Sequence, residues 1–426
     1  MLLGLLLVIR LDTASAEILQ QDNGFDLPGD IAYVGGDGNV YTIDMMQGDL
    51  VQMTSDADAM RQYEWPTWAT NGKLAFFCCN ATTSPQLATE VYIAAPGAAT
   101  ADLAYRAQGT LFTYANWAPR DCDEGEGCRD LGVLVSVLGR NAFSVDIVRS
   151  PGGEREPSVT RISEGQPFYF SWSPDGTRLL TQRNTERIDI YSLEDDAFTQ
   201  FDIRAGFFPA PAWSPVDDRL LVGVRRGERL RTDLVILAGD QREVLATNLS
   251  GEVAFNWSPD GNYVAYRTVD ESGFSEIVVV DAVTGERVMD TDDDQVLAFF
   301  WSPNSRYIAY ISAGVPRGAF NINFSGGLGD LLRIQEDGLR WSVVDLQSQT
   351  VRRYGTFLPT RSMLYLLSFF DQFAQSHSIW SPDSSHVVFS ELTPGGRQVI
   401  SILDMTRADT VPFSIAEGAI GIWSYR

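Results

Sequence analysis

The chain has 426 residues, of which 44% are hydrophobic, and a formal net charge of −24. This length suits two or three domains or one large repeat architecture, and the negative charge disfavours nucleic-acid binding through phosphate neutralisation. The only histidines are His377 and His386, which excludes a multi-histidine metal site.

The first residues resemble a secretory signal. Residues 1–9 are almost entirely apolar, and Ala14-Ser15-Ala16 before Glu17 is typical of a cleavage site. A basic start is missing, which suggests a truncated signal over residues 1–16. An uncleaved anchor is the alternative, but Arg10 and Asp12 interrupt the run. No later segment is apolar enough to span a bilayer, so we expect a periplasmic, secreted or cell-surface protein with a linker at 17–29.

A tryptophan motif recurs along the chain. Trp172-Ser-Pro-Asp-Gly176 is repeated as Trp257-Ser-Pro-Asp-Gly261, and Trp257 and Trp301 each lie 44 residues after the preceding motif tryptophan. Eight of the ten tryptophans occupy related contexts, namely Trp68, Trp117, Trp172, Trp213, Trp257, Trp301, Trp380 and Trp423. A period in the low forties with strand-like segments is typical of β-propeller blades.

Each repeat contains four strand-like segments. Around Trp257, strand A ends at the proline of a tight turn, residues 263–266 follow as strand B, and residues 277–281 follow as strand C. A polar hairpin leads to strand D. We therefore predict an all-β propeller of four-stranded antiparallel blades, with the motif tryptophans wedged between neighbouring sheets.

The two ends of the chain predict how the ring closes. Residues 31–34, 40–44 and 50–53 provide strands B, C and D without a strand A, and residues 418–423 provide a strand A with nothing after it. Pairing the terminal strands completes one blade and gives eight blades in one domain over residues 30–426. Seven blades is the alternative if the weak motif at Trp117 is misread.

The motif resembles a known family. The Trp-Ser-Pro-Asp-Gly turns, followed by a strand with Ala-Tyr or Ala-Phe and a strand ending in Val-Asp, are similar to the TolB-type WD-like propeller repeats. The resemblance covers about residues 30–426 and depends on the repeat motif. It implies an exported protein that serves as an interaction platform, and related propellers regulate access to serine peptidase domains.

Two insertions predict a binding face. Residues 313–338 lengthen a B-to-C loop, and residues 358–376 lengthen a D-to-A connection on the same face of the propeller. We expect them to form a rim or lid over the central channel, because elaborated loops on a rigid scaffold often bind ligands. An ordered loop without a binding role is the alternative.

Charged and aromatic clusters on this face are candidate ligand groups. An arginine cluster is suited to a carboxylate or phosphate, although a solvated loop is the alternative. Acidic residues at 292–294 are candidates for a calcium site, with a solvated turn as the alternative, and the sequence indicates no other cofactor. Strand A is preceded by many aromatic residues, of which a minority is expected to line a pocket. The candidates are Arg225, Arg226, Arg229, Arg231, Asp292, Asp293, Asp294, Phe207, Phe208, Phe369 and Phe370.

The four cysteines divide between the two faces. Cys122 and Cys128 bracket an acidic loop, and we predict a disulfide between them in an exported protein. Cys78 and Cys79 end a strand on the opposite face, and the sequence leaves open whether they are bonded to each other or reduced.

Catalytic signatures are missing from the sequence. Neither histidine lies near a nucleophile motif, and no glycine-rich loop precedes a helix. The leading hypothesis is a monomeric, non-enzymatic propeller that binds a protein, peptide or glycan and no nucleic acid. The alternatives are a hydrolase or lyase that uses channel carboxylates, or a regulatory propeller related to those of serine peptidases.

Overall fold

The described part of the chain folds into a β-propeller with two short helices. The structure is a computed structural model. It describes residues 25–79, 87–120, 129–140, 142–149, 158–166, 168–206, 210–227, 231–269, 275–291, 295–313 and 338–426.

Antiparallel strands account for nearly all of the regular structure. The first fifteen are β1 (Asp30–Gly35), β2 (Val40–Asp44), β3 (Leu50–Gln52), β4 (Tyr63–Trp68), β5 (Leu74–Cys78), β6 (Ala88–Ala94), β7 (Asp102–Gln108), β8 (Thr110–Trp117), β9 (Leu131–Val137), β10 (Ala142–Arg149), β11 (Ser158–Gly165), β12 (Phe168–Trp172), β13 (Arg178–Arg183), β14 (Arg187–Ser192) and β15 (Ala197–Gln200). The others are β16 (Ala212–Trp213), β17 (Leu220–Arg225), β18 (Arg231–Ala238), β19 (Gln241–Trp257), β20 (Tyr263–Val269), β21 (Ser275–Asp281), β22 (Arg287–Asp290), β23 (Val296–Trp301), β24 (Tyr307–Ala313), β25 (Leu339–Asp345), β26 (Thr350–Pro359), β27 (His386–Leu392), β28 (Gln398–Asp404) and β29 (Phe413–Trp423). The helices are α1 (Arg361–Ser368) and α2 (Phe370–Phe373).

Neighbouring strands in the sequence are neighbours in the sheets. β4–β7, β8–β11 and β12–β15 each form a four-stranded antiparallel sheet in chain order. The long strand β19 pairs with β18 through its first half and with β20 through its second half. It thus ends one blade and begins the next, and β29 joins β28 and β1 in the same way.

Four of the motif tryptophans connect neighbouring blades through their indole N–H groups. Trp257 is 6% exposed, and its indole N–H donates to the carbonyl oxygen of Ala212 at 3.2 Å. Ala212 is the residue immediately before the preceding motif tryptophan. The same bond runs from Trp117 to Thr67, from Trp172 to Asn116 and from Trp380 to Phe300. A repeated side-chain hydrogen bond therefore links each of these blades to the one before it.

The turns after four of the motif tryptophans are closed by their own polar groups. The Ser258 hydroxyl donates to Asp260 at 2.6 Å, and the backbone N–H of Tyr263 donates to the Ser258 hydroxyl at 2.9 Å. Gly261 has φ of +69°, a left-handed conformation that glycine adopts without a steric cost. Equivalent hydroxyl bonds recur at Ser173, Ser302 and Ser381.

The ends of the chain are paired as the sequence predicts. β1 is antiparallel to the second half of β29, with Ile31 opposite Trp423 and Val34 opposite Ile420. Residues 25–29, within the expected linker, also contact this sheet, because the Phe25 N–H donates to the carbonyl oxygen of Met45 at 3.1 Å. The propeller fold is confirmed, whereas the number of blades stays a prediction.

Candidate functional site

One innermost strand is interrupted by residues 360–379, here named the channel segment. β26 ends with Pro359 paired to Glu391 of β27, and Trp380 later bridges to Val387 of the same strand. The intervening residues leave the sheet at the position of an innermost strand. Because innermost strands line the channel of a propeller, the channel segment enters the middle of the molecule.

The channel segment folds as α1 followed by α2 because its residue spacing is helical. The Thr360 hydroxyl caps α1 by accepting a hydrogen bond from the Met363 N–H at 3.2 Å. Met363, Leu366 and Leu367 follow the i, i+3, i+4 spacing of one face of α1, and all three are buried. Phe370, also buried, begins α2.

Polar side chains bind the channel segment to inner strands from several blades. The Gln372 amide donates to the carbonyl oxygen of Phe170 at 2.8 Å, and the Tyr114 hydroxyl donates to the carbonyl oxygen of Gln372 at 3.0 Å. The Asp371 carboxylate accepts a hydrogen bond from the Ala210 N–H at 2.9 Å. Residues 360–379 therefore pack inside the channel instead of covering its mouth as the predicted lid, because the inner strand itself is interrupted.

Two titratable groups of the channel segment have strongly shifted pKa values. Burial lowers the pKa of His377 to about 3, and its ring nitrogens lie 3.0 Å from the Thr67 hydroxyl and 2.6 Å from the Ser376 hydroxyl. Burial raises the pKa of Asp371 to about 6, although the backbone N–H groups of Ala210 and Gln372 oppose this shift. His377 is consequently neutral and serves as a packing residue.

A cleft of about 960 Å³ lies beside the channel segment. Its walls come from the β1–β2 turn, the segment before β4, the beginning of β8, α1 and the β27–β28 turn. Its lining includes Asp37, Asp58, Gln62, Tyr63, Glu64, Trp65, Phe112, Arg361, Tyr365, Arg397 and Glu417. These are mainly B-to-C and D-to-A connections, so the cleft lies on the face for which the sequence predicts binding.

Aromatic rings form one wall of the cleft. The Trp65 ring lies 5.4 Å from the ring of Tyr365 and 4.8 Å from that of Phe373. Trp65 has φ of +50° at a β-bulge between Glu64 and Thr67. A bulky residue rarely adopts this conformation, which persists only where its surroundings fix it and which is common at binding sites. Tyr365 is 37% exposed and is therefore available to a ligand.

Acidic groups outnumber basic groups around the cleft. The carboxylates belong to Asp37, Asp58, Glu64 and Glu417, and the guanidinium groups to Arg361 and Arg397. Arg397 is paired with Glu417 at 2.7 Å. Burial raises the pKa of Asp37, but hydrogen bonds from Asn39 and Tyr41 outweigh it and lower this pKa below its usual value. Asp37 is therefore a fixed negative charge.

The described arginines of the predicted cluster bond to their own surroundings. Arg225 donates to the carbonyl oxygen of Thr185 at 2.9 Å, and Arg226 is paired with Asp233 at 3.3 Å. Arg231 donates to a carbonyl oxygen in β19 at 3.4 Å. None of these three lines the cleft, and their role in ligand binding stays a prediction.

The predicted aromatic candidates occupy different environments. Phe370 is buried in the channel, where its ring lies 5.0 Å from that of Phe299. Phe369 is 40% exposed, with its ring 5.3 Å from that of Tyr365. The other predicted groups lie outside the described residues: Phe207, Phe208, Arg229, Asp292, Asp293, Asp294, Cys122, Cys128 and nearly all of the 313–338 insertion.

Cys78 and Cys79 form a disulfide with each other, which answers the question that the sequence left open. Their sulfur atoms and a carboxylate oxygen of Glu90 all lie within 4.8 Å of one another. Among the described residues, no helix is long and apolar enough to cross a membrane.

The sequence placed Trp65 among the aromatic residues that precede strand A, but it did not single out the charged residues of the cleft. Asp37, Asp58 and Arg361 belong to turns and a helix start, where charged residues are common and carry no motif. A usable signal existed for the channel segment, since Thr360 precedes an apolar helical spacing at Met363, Leu366 and Leu367. The same helix predicts that Tyr365 is exposed, because this residue lies on the face opposite the buried residues.

Comparisons with known proteins support the fold. No family model and no curated protein matches the chain. A crystal structure of a eukaryotic initiation factor is 12% identical over 93% of this chain and 98% of its own, with a TM-score of 0.52. An oligogalacturonate lyase in complex with manganese is 13% identical over 88% of this chain and 96% of its own, with a TM-score of 0.51.

A TolB structure from Acinetobacter baumannii is also similar. It is 14% identical over 85% of this chain and 82% of its own, with a TM-score of 0.39. At such identities a shared fold says nothing of activity, since one fold carries many functions. The two structures with TM-scores above 0.5 thus agree with the fold, and they assign no function to this chain.

Proposed function

We propose that the chain is a non-enzymatic propeller that binds a protein, peptide or glycan in the cleft beside the channel segment. The observation that carries the proposal is the cleft of about 960 Å³ with Trp65 and Tyr365 in its wall. Concave sites with aromatic walls and a few fixed polar groups are where proteins usually bind ligands. The channel segment supplies part of this wall through α1.

The charge of the cleft favours a peptide with basic side chains. Four carboxylates and two guanidinium groups line it, and one guanidinium is already paired with Glu417. The net charge of −24 adds a negative field over the whole surface. Charge complementarity raises association rates and selects partners, so lysine or arginine side chains on a segment with aromatic or apolar residues fit best.

The enzyme alternative, a hydrolase or lyase that uses carboxylates, has less support. Acid catalysis near neutral pH needs a carboxylic acid with a raised pKa that reaches the substrate. Asp37 lines the cleft but has a lowered pKa. Asp371 has a raised pKa but is buried and bonded to the Ala210 N–H. A regulatory propeller related to those of serine peptidases would be one form of the binding function.

Export is part of the proposal. The apolar run at residues 1–9 and the small residues before Glu17 support a cleaved signal. The mature protein from its native host is expected to begin at Glu17 and to be found outside the cytoplasm. N-terminal sequencing of the fractionated protein checks this, and a chain that retains Met1 would contradict it.

The cleft is tested by binding of peptide and glycan arrays to the full chain. We expect capture of peptides that combine basic and aromatic residues, with at least tenfold weaker binding for Tyr365→Ala and Asp58→Asn. The matched controls are Phe413→Ala, which removes an exposed aromatic ring outside the cleft, and Asp49→Asn, which removes an exposed carboxylate in a turn. Both should bind as the native chain does.

Two outcomes would overturn parts of the proposal. Equal binding by all four variants would place the ligand outside the cleft. Release of cleaved or unsaturated product from a captured probe, measured by mass spectrometry and lost in Asp58→Asn, would establish the enzyme alternative.

A further inference from the structure

A disulfide lies next to the cleft, at the end of β5. The disulfide joins Cys78, the last residue of β5, to Cys79. Cys79 has φ of +80°, a left-handed conformation that is uncommon for a residue with a side chain. Cys78 is 1% exposed whereas Cys79 is half-buried, so the two sulfur atoms differ in their access to an incoming reagent.

The half-buried sulfur lies against a set of charged groups. The Arg61 guanidinium is 3.7 Å from the Cys79 Sγ, and a carboxylate oxygen of Glu90 is 3.5 Å from it. Glu90 is 6% exposed and is paired with Arg61 at 3.3 Å and with Arg106 at 3.3 Å. Arg61 is also paired with Asp56 at 2.9 Å. The Arg61 guanidinium favours a thiolate at Cys79, which is the reactive form of cysteine, whereas the Glu90 carboxylate opposes it. Two guanidinium groups beside Glu90 also disfavour a cation there.

We propose that Cys78 and Cys79 form a thiol–disulfide exchange site whose redox state changes the shape of the cleft. An external dithiol supplies the electrons. One of its thiolates attacks the Cys79 Sγ, the bond between the two protein sulfurs breaks, and Cys78 leaves as a thiolate. The second thiolate of the reductant then attacks the mixed disulfide and releases Cys79. Two protons pass to the protein thiolates, and the reductant becomes a disulfide.

Oxidation is the reverse reaction, with a disulfide as the acceptor of two electrons. Cys79 then acts first, because it is the more accessible sulfur and lies beside Arg61. Its thiolate attacks the external disulfide, and Cys78 displaces the external sulfur. The asymmetry between the two cysteines therefore assigns attack to Cys79 and resolution to Cys78.

The exchange site is connected directly to the wall of the cleft. The backbone N–H of Cys79 donates to the carbonyl oxygen of Gln62 at 3.4 Å, and Cys78 is paired with Tyr63 across β4 and β5. Arg61 donates to the Tyr63 hydroxyl at 3.1 Å. Gln62 and Tyr63 both line the cleft. Opening the disulfide frees Cys79 to leave its left-handed conformation, which breaks the bond to Gln62.

The test uses the full chain with Cys122→Ser and Cys128→Ser, so that one cysteine pair remains. Tryptic mass spectrometry of the untreated protein should show Cys78 and Cys79 linked. After dithiothreitol, iodoacetamide should label Cys79 faster than Cys78. Hydrogen exchange of residues 56–63 should rise at least threefold on reduction. No ligand is needed, so this test is independent of the function proposed for the cleft.

Three arginine variants separate the chemistry from simple loosening of the fold. Arg61→Gln should slow the alkylation of reduced Cys79 about tenfold, which corresponds to one pKa unit of thiolate stabilisation. Arg61→Lys should restore most of the rate because it keeps the charge. Arg106 contacts the other carboxylate oxygen of Glu90, so Arg106→Gln should leave the alkylation rate unchanged.

Three results would overturn the inference. The first is free thiols at both positions in untreated protein from the native host. The second is equal alkylation rates for the two cysteines and for the Arg61 variants. The third is hydrogen exchange of residues 56–63 that is the same in the oxidised and reduced chains.

Discussion

The hydrogen bond of the motif tryptophan can be separated from its burial. Trp257 and Trp213 are 6% and 5% exposed, and each is covered by an arginine 4.8 Å from its ring. Trp257 donates its indole N–H to the carbonyl oxygen of Ala212, whereas the Trp213 N–H has no acceptor within the described residues. The two positions therefore differ mainly in this one bond.

Replacing each tryptophan by phenylalanine measures what the bond contributes. Trp257→Phe removes the N–H donor and leaves the carbonyl oxygen of Ala212 without this hydrogen bond. The free energy of unfolding should fall by about 1–2 kcal/mol beyond the effect of the lost contact area. Trp213→Phe loses contact area only and removes a donor that has no acceptor. We expect Trp257→Phe to be less stable than Trp213→Phe by about that amount in urea unfolding. Equal losses would mean that the tryptophans act through packing alone.

At the scale of elements, the channel segment predicts an unusual dependence of stability on pH. The pKa of His377 is about 3 when folded and 6.5 in the unfolded chain, so the unfolded chain takes up a proton first as the pH falls. Stability is consequently lost as the pH falls from 6.5 towards 3. The pKa of Asp371 is about 6 when folded and 3.8 when unfolded, so stability is lost as the pH rises from 3.8 through 6.

Between about pH 4 and 6, His377 and Asp371 change the stability of the fold in opposite directions. A variant of each residue separates the two contributions. Relative to the native chain, His377→Gln should lose stability as the pH rises from 4 to 6, and Asp371→Asn should gain it. Each difference is at most about 1.4 kcal/mol per pH unit. Urea midpoints at pH 4, 5 and 6 measure these slopes, with Asp49→Asn as an exposed control. Parallel curves for all four proteins would contradict the assignment.

The blades could be predicted from the sequence, whereas the position of the channel segment could not. Short-range chemistry predicts the blades, because the turn at Ser258 and Asp260 and the wedge at Trp257 recur at a fixed period. The position of the channel segment depends on Pro359 and Trp380 sharing one partner strand, which is a contact between distant residues. No periodic pattern encodes it. The cleft depends on that same contact, since α1 forms one of its walls.

At the scale of the whole molecule, closure joins residues that are nearly 400 positions apart. Trp423 is fully buried, and its indole N–H donates to the carbonyl oxygen of Pro28 at 2.9 Å. Asp30 and Ser424 exchange two hydrogen bonds of 2.8 Å. The repeat motif predicted this pairing because each end supplied part of one blade. The same long-range pairing leaves the fold dependent on its last nine residues.

The final prediction is that removing residues 418–426 destabilises the propeller and exposes β1 as an edge. The buried ring of Trp423 alone contributes on the order of 2–3 kcal/mol, and the lost hydrogen bonds with β1 add to this. Because a typical domain is stable by only about 5–15 kcal/mol, the melting temperature should fall markedly. An exposed strand edge also pairs readily with other chains, so the truncated protein should associate.

A milder variant and a control complete the closure test. Gly418→Val should destabilise in the same direction, because an added Cβ would lie only 2.5 Å from the carbonyl oxygen of Val34. Removing residues 1–24 keeps Phe25 and every bond of the closing blade, so that chain should melt like the native one. Calorimetry and analytical ultracentrifugation give both readouts. A chain that ends at residue 417, melts at the native temperature and stays monomeric would show that β29 does not close the ring. In that case, loss of the pairing between β1 and β29 would have left both the stability and the oligomeric state unchanged.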